Sequence, residues 1–290
     1  MPTHTRTHRP QTSARAPERR RPKTLAAVLT ALLVAAIGLA LSLTALSRHA
    51  AAASAPAPAT PADSMATVVT VNGQPIPVRE FELFLAQDRA ATFQHFQQKY
   101  DDNDGANFWT TPYGGQTPTQ YLEHQAVADA TSATVQLQLA RTYGLAADIG
   151  YPAFLKSLAA ENTQRREDVK SGKPIYGPEQ YTETTYFLYE QSTLATELTT
   201  TLTSRNVIPV TDAALRAYYA AHASDYQTTS TSKSVVAGPQ SAPGLESFDQ
   251  VKSEVEQDYA TYAYDAFVAR QAAAATVRID QRELSSIDVS

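Results

Sequence analysis

The chain has 290 residues, 24 Lys+Arg against 29 Asp+Glu, and a net charge of −5. Residues 1–23 hold seven basic residues and one acid, a charge of +6, which leaves −11 on the remainder. So acidic a body is a poor partner for nucleic acid, whose binding rests on Lys and Arg neutralising phosphates. The absence of cysteine excludes a disulfide framework, a thiolate zinc site, a cysteine nucleophile and a lipid-modified cysteine.

From Thr24 to Leu46 no residue is charged. As a helix, this run spans the hydrocarbon core of a bilayer. The basic cluster precedes it and only Arg48 follows closely, so the positive-inside bias places residues 1–23 as a cytoplasmic tail and exports the rest. The run exceeds the usual apolar core of a cleaved signal, which favours a transmembrane signal-anchor over 24–46; Ala51-Ala52-Ala53 offers a cleavage pattern as the alternative, giving a secreted body. Residues 47–66 are rich in Ala and Pro and read as an extended linker.

Val68-Val69-Thr70-Val71 predicts a strand, Asn72-Gly73 a hairpin turn, and Gln74-Pro75-Ile76-Pro77 a return strand that its prolines confine to an edge. Val78, Phe81, Phe84, Leu85, Phe93, Phe96 and Tyr100 then recur at helical spacing, up to the acidic turn at 101–105. Thr117, Pro118 and Gln120 open a second helix with a capping box, and Gly144 suits its left-handed stop. A third helix is expected from about Pro152 to Lys170, with Phe154, Leu155 and Leu158 inward and Gln164–Asp168 projecting into solvent. A fourth carries Tyr181, Leu188, Ala195, Leu198 and Leu202 on one face, and a short fifth follows Thr211 with Leu215, Tyr218 and Tyr219. Residues 226–246 read as a loop. Ser247 and Gln250 open a long helix whose face carries Phe248, Val251, Val255, Tyr259, Tyr262, Ala266 and Ala273. Thr276–Asp280 alternates as a strand and is expected to pair with the first strand, since unpaired it would leave backbone groups unsatisfied. Residues 281–290 read as a tail.

Motifs for hydrolase, nucleotide, dinucleotide and zinc-protease sites are missing. His95, His124 and His222 stand without a second ligand one turn away, and the turn around Asp102 and Asp104 lacks acids at both ends of a calcium-loop pattern. No catalytic, cofactor-binding or metal-ligating residue is therefore assigned, and no cofactor is expected. The unusual feature is fifteen tyrosines against one tryptophan. Tyr113, Tyr176, Tyr181, Tyr186 and Tyr189 fit either a half-exposed peptide groove or the rim of a core. Phe108–Gly115 is an aromatic loop that fits a folded-back staple better than a ligand contact.

Three stretches, in order, resemble exported foldases of the SurA/PrsA type. Val69–Gly73 with Ile76 and Arg79-Glu80-Phe81 is similar to the entry of their chaperone domain. Val210–Tyr219 looks like the helix before their parvulin domain, and Ser247–Lys252 through Ala275–Ile279 resembles the helix and strand after it. The likeness covers 67–225 and 247–280. It departs from the family where a parvulin prolyl isomerase would lie, because residues 226–246 are too few and too polar to form a core.

The resemblance thus implies a mainly α fold, a SurA N-terminal-like helical domain over 67–280 with a small sheet joining the N-terminal hairpin to the last strand. It implies a membrane-tethered, extracytoplasmic chaperone-like protein that binds unfolded exported polypeptides without catalysis. A cell-surface scaffold or partner-binding module, and a residual peptidyl-prolyl isomerase, are the alternatives.

Overall fold

The computed structural model describes residues 64–101, 105, 107–227 and 245–289. The basic tail, the apolar run at 24–46, nearly all of the linker, Asp102–Asp104 and most of the 226–246 loop lie outside them. No helix among the described residues is long and apolar enough to cross a membrane.

The body is mainly helical with one three-stranded antiparallel sheet. Strands β1 (Thr67–Val71) and β2 (Gln74–Pro77) form the hairpin, and β3 (Val277–Ile279) closes the order β2-β1-β3. The helices are α1 (Val78–Tyr100), α2 (Pro118–Tyr143), α3 (Tyr151–Lys170), α4 (Glu183–Ser204), α5 (Asp212–Ala221), α6 (Phe248–Ala273) and α7 (Gln281–Ser285).

The hairpin turn places Asn72 at φ 49° and Gly73 at φ 86°, the left-handed pair that a two-residue turn of this twist requires. Val69 pairs with Ile76 on one side and with Ile279 on the other. The proline-bearing β2 is indeed an edge, where its missing N–H groups cost no ladder bond. Asn72 also locks the two ends of the body together. Its Oδ1 accepts from the Thr276 N–H at 2.8 Å, and its Nδ2 donates to Gln138 Oε1 at 3.0 Å. Gln138 Nε2 in turn donates to the Val71 carbonyl at 3.0 Å.

Helix α1 begins at Val78 and stops at Asp101, which is left-handed. The Thr117–Gln120 capping box forms as expected, each side chain meeting the other's backbone N–H, and Gly144 ends α2 at φ 79°. Between these helices a 3-10 turn (Phe108–Thr110) buries Phe108 and Trp109. The segment then passes Tyr100 so closely that a Cβ on Gly114 would lie 2.6 Å from the Tyr100 hydroxyl. This loop is a staple.

Three clusters make the core. The largest joins β1, β2, α1 and α2 with Tyr151, Phe187 and Leu284. A second gathers Leu198, Leu202, Ile208, Tyr264 and Val268 between α4 and α6. The third gathers Leu215, Tyr226, Phe248, Val251 and Val255 between α5 and α6.

Four expectations from the sequence are corrected. Leu188 lies outward at 45% exposure while Tyr186 and Phe187 are buried, and Tyr181 precedes α4 rather than standing on it. Tyr262 is likewise 54% exposed, with Tyr264 and Val268 buried in its place. Both helices change partner along their length. Helix α4 meets Phe84 and Phe154 through Phe187 near its start, and the second cluster through Leu198 and Leu202 near its end. Helix α6 goes from the third cluster to the second. The buried stripe therefore rotates around each helix, which a fixed period does not anticipate. Thirdly, the start of the supposed loop is structural, since Tyr226 is buried and donates its hydroxyl to Asp258 at 2.9 Å. Fourthly, 281–289 is no tail: α7 buries Leu284 against the largest cluster, and Ile287 and Val289 pack beside it.

Candidate functional site

The five tyrosines singled out from the sequence divide. Tyr113 packs against Phe96, Tyr100 and Phe108, with ring centroids 5.5, 5.6 and 6.2 Å away, and belongs to the rim of the core. The other four lie around α3 and α4. Tyr151, the first residue of α3, stacks on Phe154 at 5.6 Å, and Phe154 faces Tyr186 at 5.6 Å. Tyr186 meets Tyr181 at 5.5 Å and Tyr189 at 6.1 Å, while Tyr181 and Tyr189 stack at 5.6 Å with their planes 24° apart. The rings form a continuous ladder that begins in the core at Tyr151 and ends in solvent at Tyr189, which is 47% exposed beside the outward Leu188. Tyr176 is 89% exposed.

Local chemistry holds the ladder in place. Thr182 caps α4, its hydroxyl accepting from the Thr185 N–H while the Thr185 hydroxyl accepts from the Thr182 N–H. The loop between α3 and α4 is strapped down by two side chains of α3. Asn162 takes both backbone groups of Tyr181, donating to its carbonyl at 2.9 Å and accepting from its N–H at 2.7 Å. Arg165 donates to the carbonyls of Tyr176 and Pro178 at 2.9 and 2.8 Å and to the Tyr181 hydroxyl at 3.2 Å, with its guanidinium 4.4 Å over the Tyr181 ring. The polar second half of α3, expected to project into solvent, thus turns Arg165 back onto the loop. Beyond it lies an open groove of about 420 Å³, lined by Arg166, Val169, Lys170, Glu179 and Gln180.

The inner end of the ladder meets a charged junction. Arg79 binds Glu183, the first residue of α4, through Nε and Nη2, the latter 2.5 Å from Oε2. The Tyr151 hydroxyl donates to the other oxygen of Glu183. Burial, then the bond to Glu183, raises the Tyr151 hydroxyl above the phenol range. Tyr186 is raised by burial and by the neighbouring Glu190, whose own carboxyl burial also raises. Next to Arg79, Glu80 is only 8% exposed, and burial pushes its carboxyl up to about 8.

Sequence reasoning missed a polar pair between α1 and α2. Asp88 and Asp129 share a hydrogen bond, and burial, then the charge of Asp129, raises Asp88 to about 7. Burial raises Asp129 too, while the bond from Asp88 pulls it the other way. Asp88 Oδ2 and the fully buried Thr92 Oγ1 have no hydrogen-bond partner among the described residues. The signal was present, because Asp88 and Thr92 fall on the apolar stripe between Leu85 and Phe96.

A second aromatic group lies where α5 meets α6. His222 stacks on Tyr218 at 4.1 Å, and Tyr218 faces Tyr259 and Tyr262 at 5.8 and 5.3 Å. His95 stacks on Tyr121 at 4.4 Å. Among the described residues no three His, Cys, Asp or Glu side chains converge to hold a metal.

What this arrangement can do is bind by contact. The α3–α4 face offers a run of stacked and tilted aromatic rings, four of them tyrosines with hydroxyl tips. Comparison with known proteins adds no guide: no protein-family model, no curated protein and no solved structure matches the chain.

Proposed function

We propose that this chain is a membrane-tethered, extracytoplasmic chaperone-like protein that binds unfolded exported polypeptides without catalysis. The observation that carries this reading is the tyrosine ladder of α3 and α4, whose outer end exposes Tyr189 and Leu188 next to each other. Exposed aromatic surface of this kind gains free energy by burying the apolar side chains of another chain. Tyrosine does so while its hydroxyl stays paired, so specificity for one sequence is not required.

The tether and the compartment rest on the uncharged run at 24–46 and the basic cluster before it. The kinship with the SurA N-terminal domain rests on the order of three motifs. The first lies in β1, β2 and the start of α1, the second in α5, the third in α6 and β3.

The test uses the full-length chain in lipid nanodiscs, present at equimolar ratio to several unrelated proteins diluted from denaturant. Suppressed aggregation across the panel is the expected result, weakened several-fold by Leu188→Ser with Tyr189→Ser. No suppression even at large excess overturns the reading and leaves a tethered module for one specific partner.

A further inference from the structure

Strand β3 is an open edge of the sheet, since the order β2-β1-β3 leaves it no second neighbour. The Asn72 N–H donates to the Thr276 carbonyl and the Asp280 N–H to the Val68 carbonyl, both at 2.9 Å, with Thr70 opposite Arg278 between them. Bonded and unbonded pairs alternate along an antiparallel ladder. The main chain of Thr276, Arg278 and Asp280 therefore faces β1, and the N–H and C=O groups of Val277 and Ile279 point away from it. Among the described residues no hydrogen bond reaches those four groups. The other edge, β2, is blunted by Pro75 and Pro77. No proline interrupts β3.

The side chains of β3 divide between the two faces. Val277 and Ile279 stand opposite the fully buried Val71 and Val69, so they carry the core face of the sheet out to its margin. There each is 36% exposed. Arg278 alternates to the other face beside Thr70, where an open groove of about 310 Å³ also takes in Thr67 and Asp280. Asp280 is already engaged, because its Oδ1 caps α7 by accepting from the Arg282 and Glu283 N–H groups at 3.0 and 3.2 Å. Arg278 is exposed and enters no ion pair among the described residues.

Strand addition to such an edge draws affinity from main-chain bonds and selectivity from alternate side chains. In an incoming antiparallel strand, the two residues bonded to Val277 and Ile279 extend the core face, where apolar side chains suit. The residue between them lies directly opposite Arg278, in an unbonded pair with Cα atoms about 4.5 Å apart. An acid there is favourable and a like charge is not. A second copy of β3 is a poor fit for this reason: the two-fold register that uses all four groups on both copies sets Arg278 against Arg278.

We propose that β3 accepts, as a fourth antiparallel strand, an extended segment of another polypeptide with the pattern apolar–acidic–apolar, its acid paired with Arg278. The addition is independent of the tyrosine ladder. That the segment belongs to an unfolded exported chain rests on the reading above.

The test follows hydrogen exchange of single amides in the full-length chain in lipid nanodiscs, with a synthetic peptide centred on Val-Glu-Val as the probe. At millimolar peptide the Val277 and Ile279 amides are expected to exchange at least about tenfold more slowly. Exchanging the peptide's Glu for Lys should weaken binding about fivefold, and Arg278→Glu should reverse that preference. The Asp280 N–H, held by the Val68 carbonyl, is protected without peptide and reports that the sheet is intact in the variant. A peptide N-methylated at both valines keeps its side chains but cannot donate, and should give no protection. No slowing at millimolar peptide overturns the proposal. So does equal slowing by the N-methylated peptide, or an unreversed charge preference in Arg278→Glu. Protection that appears without peptide and rises with protein concentration assigns the edge to a second copy, and also overturns it. Suppressed aggregation without protection at β3 keeps the chaperone reading and removes this one, whereas protection without suppression does the reverse.

Discussion

Arg79 and Glu183 stand 104 residues apart and meet in a two-point ion pair, with Nη2 2.5 Å from Oε2. The pair joins the start of α1 to the start of α4, and the Tyr151 hydroxyl completes it. Glu183→Ala leaves Arg79 unpaired at a half-exposed site and the buried end of Tyr151 without its acceptor. A two-point pair of this kind, screened on the Arg79 side, contributes about 1–2 kcal/mol. The melting temperature is expected to fall by about 3–6 °C. Tyr151→Phe keeps the ion pair and should cost less than half of that in the same calorimetric scan.

Asn72 combines a left-handed backbone with two side-chain bonds to distant segments. Asn72→Ala loses both bonds and adds strain, an expected cost of about 2–3 kcal/mol. A Cβ at Gly73 meets nothing within 4 Å, so Gly73→Ala pays backbone strain alone, about 1 kcal/mol. Urea midpoints at constant slope discriminate between the two.

Stability should fall as pH rises across the neutral range. Glu80 and Asp88 are held at about 8 and about 7 in the fold, against ordinary values near 4.5 and 3.8. The folded chain thus binds more protons than the unfolded chain between those limits. Their contribution is fully present below pH 4, declines as pH rises, and is gone above pH 8. For Glu80 a gap of that size corresponds to a swing of about 4–5 kcal/mol, and for Asp88, part-exposed and coupled to Asp129, solvent screening makes it smaller. Melting at pH 5 is expected to exceed that at pH 8, and Glu80→Gln and Asp88→Asn should each flatten the profile by raising the alkaline end. A steeper profile in either variant would contradict the assignment.

Arg165 acts on the loop rather than on the core. Arg165→Ala removes its bonds to Tyr176, Pro178 and Tyr181. Chymotryptic cleavage after the exposed Tyr176 should accelerate about tenfold, since local opening governs proteolysis. The melting temperature should move by only about 3 °C.

How far the sequence carried depends on the range of the force involved. Caps and turns are local chemistry, and Thr117, Gln120, Gly144, Asn72 and Gly73 all took the predicted roles. The partnership of β1 and β3 followed because the hairpin at 67–76 was the only other strand signal in the sequence and β3 needed a partner. Helix faces were legible only where a helix keeps one neighbour: Leu188 and Tyr262 were misplaced because α4 and α6 pass from one cluster to another. The candidate site was half visible. Tyr181, Tyr186 and Tyr189 were among five tyrosines of equal standing, and only the approach of α3 revealed Phe154 and Tyr151 as the rungs that join them to the core. Tyr113 had the same composition signal and a different fate because the 108–115 loop folds inward.

Strand β1 lies between a neighbour made at once and a neighbour made last. The Thr276 N–H that bonds Asn72 is 204 residues further on, and the Val289 carbonyl bound by Arg89 is 200 residues beyond its partner. A ribosome delivers the hairpin first and can finish the sheet only after β3 has emerged. Until then one flank of β1 keeps its backbone groups bare and Leu284 has not arrived to cover its share of the largest cluster. Any shortened form that stops before Val277 keeps β1 as an open strand edge, so closure of the sheet waits on one three-residue segment more than 200 residues from the hairpin turn that it meets.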